Sequence, residues 1–218
     1  MPSVRTARRP RNPQEHAGRR TPGIRERKKA QTRSEIVKTA VRLIRKRGYE
    51  QTRVEDIVQA LGISQPTFFR YFPSKDGVLR EIGRRGFHCM TGQLETELAS
   101  NSTTAERLRR LYESYAREAE SDRALWQAVV LAGAMDPVRS PELRQAEELT
   151  IGLLRDVLAE GQKRGEITRD FPVSHLAEFM EGLYNTVVRR WAVDLDGPHK
   201  LAERARSAVD FFMRAASA

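Results

Sequence analysis

The sequence predicts an all-α fold: an N-terminal three-helix lobe built on a helix-turn-helix, then a larger helical lobe, about nine helices in all. Three observations predict it. Apolar residues recur at three- and four-residue intervals along most of the 218 positions, and no alternating run argues for a strand. The periodic segments are bounded by helix caps and breakers: Gly48, Gly62, Ser64-Gln65-Pro66, Pro73-Ser74, Ser140-Pro141, Gly165 and Gly197-Pro198. Charge is divided: residues 1–90 carry 22 Lys and Arg against 8 Asp and Glu, whereas residues 91–218 carry 17 against 21. A basic lobe on a near-neutral partner is the footprint of a protein that meets a polyanion.

The stretch from Thr52 to Lys75 organises the rest. Thr52 lies three residues before Glu55 and just ahead of Val54, Ile57, Val58 and Leu61, a capping-box pattern opening a short helix. Gly62 supplies the left-handed stop and Ser64 an N-cap, so a second helix starts near Gln65, where Pro66 is tolerated in the first turn. Phe68 and Phe72 are one turn apart and face the first helix. Gln65, Thr67, Arg70 and Tyr71 are left toward solvent, with Phe69 partly so. Two helices around a short glycine turn make a helix-turn-helix, whose second helix presents side chains to base edges.

This run, through Gly62, Ser64, Thr67, Tyr71, Phe72 and Lys75, resembles the DNA-binding domain of the TetR family of bacterial transcriptional regulators. The resemblance covers roughly residues 24–79, and GISQPT, RYF and SK at these spacings carry it. It implies that Thr52, Tyr71 and Lys75 contact phosphates while Gln65, Pro66, Thr67 and Arg70 face bases of double-stranded DNA. Phe69 stands where the family usually has a tyrosine, so any contact at that position lacks the phenol.

Residues 1–23 hold four prolines and six arginines against one glutamate and read as a disordered basic arm, either lying along DNA or simply solvated. Residues 24–74 are the expected DNA-binding domain, and 75–218 the expected ligand-binding and dimerisation domain. The first helix runs from Ile24 to the stop at Gly48, with Ile36, Val37, Ala40, Leu43 and Ile44 on its apolar face. The fourth starts at Pro73-Ser74, carries Val78, Leu79, Ile82, Phe87, Met90, Leu94 and Leu98, and is long enough to join the two lobes. Further helices follow: one around Leu108–Tyr115, and one around Leu125–Val130 that ends at Asp136-Pro137. Another begins at Ser140 and carries Leu143, Leu149, Leu153, Leu154, Val157 and Leu158; the next is capped by Ser174; the last follows Gly197-Pro198.

The last two helices are apolar on more than one stripe, which predicts a second buried face and hence a homodimer. The TetR family resembled here implies the same four-helix interface. Aromatic and soft side chains in the larger lobe, Met90, Tyr112, Tyr115, Trp126, Phe179, Met180, Tyr184 and Trp191, are candidates for an apolar pocket, with Gln127, His175 or Asn185 as orienting polar groups. Ordinary core is the competing role for each.

One cysteine, Cys89, allows no intrachain disulfide and fits a reducing cytoplasm. No apolar run reaches the length of a membrane span, and no phosphate loop, zinc motif, nucleophile elbow or cysteine pair points to an enzyme, a cofactor or a metal. The reading is a sequence-specific regulator, most simply a repressor that leaves a palindromic operator when a small apolar or amphipathic ligand binds. The alternative is an architectural DNA binder without a ligand.

Overall fold

Glycines in the left-handed region set the first two helix boundaries. The computed structural model describes residues 23–136, 138, 140–193 and 200–217. Among them are nine helices and no strand: α1 (Ile24–Arg47), α2 (Val54–Leu61), α3 (Gln65–Tyr71), α4 (Lys75–Leu98), α5 (Thr104–Ser121), α6 (Arg123–Leu131), α7 (Pro141–Lys163), α8 (Val173–Val193) and α9 (Leu201–Ala216). Gly48 stops α1 at φ +83° and Gly62 stops α2 at φ +64°, conformations a side chain would strain. The Ser64 hydroxyl caps α3 through the Thr67 amide at 3.3 Å, and the Ser74 hydroxyl caps α4 through Gly77 at 3.2 Å.

Four expectations need correction. The cap of α2 is Arg53, not Thr52: the Asp56 carboxylate accepts from the Arg53 amide at 2.8 Å, one position later than the Thr52/Glu55 pairing. Helix α6 stops at Leu131, before Asp136, because Gly133 turns the chain at φ +60° and the Ala134 amide closes onto the Val129 carbonyl. Helix α8 starts at Val173, with the Leu176 amide bonded to the Pro172 carbonyl, so Ser174 is already inside it. Leu149 is exposed, because the buried stripe of α7 runs through Leu143, Ala146, Thr150, Leu154, Val157 and Leu158 and places residue 149 on the far side. The basic arm, Pro137, and the Gly197-Pro198 break lie outside the described residues, Gly23 apart.

Two main cores result. Ile36, Val37, Ala40 and Ile44 of α1 close over Ile57, Phe68 and Phe72, and Val78, Leu79 and Ile82 from the first half of α4 complete that core. Leu125 and Val129 of α6 pack into it from the other lobe. The second core gathers α5, α7, α8 and α9 around Leu108, Leu158, Met180, Trp191 and Val209, with Leu94 from the far end of α4. Thus α4 begins in one core and ends in the other, and α6 lies where they meet.

The middle of α4 is fitted closely. A Cβ on Gly83 would come 2.5 Å from the Ala134 carbonyl oxygen, and one on Gly86 would come 3.1 Å from the Trp126 ring. Glycine at these two positions is what lets the turn after α6 and the Trp126 ring of α6 press on the helix backbone.

Candidate DNA interface and effector cavity

Apart from Thr52, the residues expected at DNA are exposed or half-buried along α3 and at the start of α4, with different occupations. Gln65, Pro66 and Arg70 are exposed along α3, Thr67 and Tyr71 are half-buried, and Phe69 is 45% exposed with its ring edge-on to Phe68 at 5.5 Å. The Gln65 amide donates to the Glu55 carboxylate at 2.9 Å, so α2 holds it back from the open groove side. The Thr67 hydroxyl lies 2.9 Å from that of Ser64, and the Arg70 guanidinium leans on the Tyr71 ring at 5.4 Å. Lys75 donates to the Tyr49 carbonyl at 3.0 Å and stands 3.8 Å over the Tyr49 ring, while the Tyr49 hydroxyl donates to Asp76.

Thr52 departs from the phosphate role. It is fully buried, its hydroxyl donates to the Gly48 carbonyl at 2.8 Å and its amide to the Tyr49 carbonyl, so it staples the turn between α1 and α2. The exposed side chain next to it is Arg53, at the helix N-terminus.

Beneath this surface lies a charge cluster the sequence reading did not single out. Glu81 of α4 is 4% exposed and receives Arg33 of α1 at 3.2 Å, Arg84 at 2.8 Å and Arg85 at 3.0 Å. Burial opposes its ionisation, but the hydrogen bonds from Arg84, Arg85 and Arg33 prevail and hold the carboxyl down at about 2. Arg33 also donates to the Tyr71 carbonyl at 3.0 Å and lies 4.4 Å over the Phe72 ring. One guanidinium therefore joins α1, the end of α3 and α4.

The larger lobe holds a cavity of ≈ 540 Å³. Met90, Tyr112, Tyr115, Trp126 and Tyr184 line it, as do Trp191 and Asn185. Phe179 does not: it is 53% exposed on the outer face of α8, against Phe171 and His175, because it falls between the turns that carry Ala177, Met180 and Tyr184 inward. Gly86, Phe87 and Met90 of α4 form one wall, so the helix that launches from the DNA surface also bounds the cavity. Burial raises the Tyr112, Tyr115 and Tyr184 phenols well above their usual range, leaving neutral hydroxyls.

Glu147 of α7 and Glu181 of α8 were missed, and they too line the cavity. Their signal was a carboxylate on an otherwise apolar stripe: Glu181 shares its stripe with Ala177, Tyr184, Val188 and Trp191. Among the described residues no group of three His, Cys, Asp or Glu is placed to hold a metal, and no helix is long and apolar enough to cross a membrane.

A helix-turn-helix on a basic lobe, joined by a shared helix to a hollow helical lobe, defines a DNA-binding regulator. Residues 36–82 match the family model of bacterial regulatory proteins of the TetR family. The HTH-type transcriptional regulator TcmR of Streptomyces glaucescens is 44% identical over 57 residues, 26% of this chain and 25% of that one. The fatty acid metabolism regulator protein of Bacillus subtilis is 24% identical over 183 residues, covering 82% of this chain and 92% of its own. Among solved structures, the TetR-family repressor FadR of Thermus thermophilus, in complex with lauroyl-CoA, superposes with a TM-score of 0.67 at 24% identity, covering 83% of this chain and 93% of that one. PfmR of the same organism gives 0.61 at 28% identity, covering 82% and 97%. The TetR-family match lies in the helix-turn-helix lobe, and the chain as a whole shares the fold of these regulators.

Proposed function

We propose that this chain is a homodimeric repressor that reads a palindromic operator through α3 and releases it when a small apolar or amphipathic ligand fills the cavity. In this reading residues 24–74 read the DNA, and 75–218 bind the ligand and the second copy. The observation that carries it is the position of α4, which starts beside Lys75 at the DNA surface and forms a cavity wall at Gly86, Phe87 and Met90. An occupant that displaces this wall changes the angle at which α3 is presented, and a ligand acts only through such a difference between two arrangements.

Phosphate contacts from the basic lobe supply most of the affinity, and Gln65, Pro66, Thr67 and Arg70 the sequence preference, with Tyr71 and Lys75 toward phosphates. Releasing Gln65 from Glu55 and Lys75 from Tyr49 is part of binding. The dimer reading is supported by the outer face of α8 and α9, where Phe179 and Phe211 are 53% and 63% exposed and Leu183 and Val187 border a shallow groove. A second copy related by a two-fold axis covers that face and sets two α3 helices about one DNA turn apart. The acyl-CoA in the Thermus FadR structure supports a small-molecule effector for this lobe.

Selection of bound sequences from a random DNA pool at near-physiological salt, with the mass of the complex measured in parallel, tests the reading. A recovered palindrome held by two copies is the expected result. Salt-sensitive binding with no recovered motif would instead assign a non-specific DNA binder.

A further inference from the structure

The cavity wall is largely apolar, but its charge is one-sided. Glu118 of α5, Asp136 after α6, Glu147 of α7 and Glu181 of α8 line it, against Arg189 of α8 as the one basic lining residue among the described residues. Two of these carboxyls, Glu147 and Glu181, lie close enough to interact, and Asn185 lines the cavity with them. Burial first, with the Glu181 charge beside it, raises Glu147 to about 7, so a proton stays on the pair below that pH. Beside the pair, the Tyr112 and Tyr184 rings pack at 4.6 Å between centroids, and the buried Tyr115 hydroxyl has no hydrogen-bond partner. The site therefore offers negative charge, aromatic faces and an unused hydroxyl in one ligand-sized space.

We propose that the cavity takes an amphipathic organic cation, with an ammonium or amidinium head at Glu147 and Glu181 and an apolar body against Tyr112, Tyr184 and Trp126. This rests on the reading of the cavity as the effector site. An anionic head, whether a carboxylate or the phosphates of a coenzyme A thioester, meets like charge here. A neutral ligand leaves the shared proton in place. A cation replaces it: the proton leaves Glu147 for solvent, both carboxylates are then ionised, and the ligand's charge sits between them and the aromatic faces. The charge preference distinguishes this cavity from one shaped for acyl-CoA.

Calorimetry on the full-length protein with four ligands sharing a ten-carbon chain tests it: decyltrimethylammonium, 1-decanol, decanoate and decanoyl-CoA, each below its aggregation threshold. The expected order places the cation at least tenfold tighter than either anion, with about half a proton released to buffer at pH 7 and nearly one at pH 6. In the Glu147→Gln/Glu181→Gln variant the ratio of cation to decanol affinity falls about tenfold. Decanoate or decanoyl-CoA binding as tightly as the cation, no binding by the cation, or an unchanged ratio in the variant would overturn the proposal. Release of a selected operator, followed in parallel by fluorescence anisotropy, separates the two readings. Cation binding without release sinks the repressor mechanism alone, and release by decanoate sinks the charge preference alone.

Discussion

Arg33 and Glu81 form a bridge at 3.2 Å that fastens α1 to α4 underneath the recognition helix. Glu81 is almost fully buried and bound by three arginines, so removing its charge leaves those guanidinium groups crowded without their counter-ion. Glu81→Ala is expected to destabilise the protein by about 3 kcal/mol, read from chemical denaturation. Because the folded carboxyl is held at about 2, below its ordinary 4.5, the stabilisation is present above pH 4.5 and fades as pH falls toward 2. Glu81→Gln should remove that part of the acid dependence; an unchanged acid profile would show that the bridge contributes nothing.

The tie between Gln65 and Glu55 predicts an unusual gain. Glu55→Ala frees the Gln65 amide and removes a carboxylate beside the DNA surface, so operator affinity should rise severalfold, consistent with a hydrogen bond worth about 1 kcal/mol. Arg70→Ala, by contrast, should relax the preference at one base position at a cost of about 1–3 kcal/mol. Competition binding across a set of single-base operator variants measures both effects.

Two glycines on α4 should respond in opposite directions. Gly83→Ala drives a methyl into the Ala134 carbonyl, forcing α4 off the turn after α6, and should cost about 1–3 kcal/mol and weaken operator binding. Gly92→Ala meets nothing within 4 Å and should stabilise by about 0.5–1 kcal/mol through helix propensity. Thermal melts of the two variants, with anisotropy on operator DNA, check the contrast.

The cavity carboxyl gives the pH dependence the other sign. Burial first, then the charge of Glu181, pushes Glu147 up to about 7, and Asp136 and Glu148 push the same way. A raised carboxyl contributes fully below pH 4.5, and that contribution is lost as pH rises through about 7. The melting temperature should therefore decline from pH 5 to pH 8, and Glu147→Gln should flatten the decline. Scanning calorimetry across that range decides it.

The helix-turn-helix was legible because its boundaries are local. Gly62, Ser64 and Pro66 each act within a turn of where they stand, and the one-turn spacing of Phe68 and Phe72 marks the inward face of α3. The cap of α2 was misplaced because a threonine at the right distance from a glutamate looks like a capping box. Only the fold shows that the Thr52 hydroxyl is taken by Gly48. Arg33, Arg45 and Arg47 reach Glu81, Asp122 and Asp56, partners set by packing and not by spacing. The cavity was least legible, since Tyr112 or Trp126 satisfies the same apolar stripe whether the space before it is filled or empty. The Glu147–Glu181 pair joins residues on different helices, so a carboxylate on an apolar stripe is visible in the sequence but its partner is not.

In the proposed mechanism α4 couples the DNA surface to the cavity, and such coupling must run both ways. The protein has two tryptophans, and both line the cavity. Fluorine NMR of protein labelled with 5-fluorotryptophan, assigned with Trp126→Phe, reads the cavity while operator DNA is added. Saturation with operator is expected to shift the Trp126 resonance, because its ring lies against α4 at Gly86. Two resonances that stay fixed as the operator saturates would contradict that coupling.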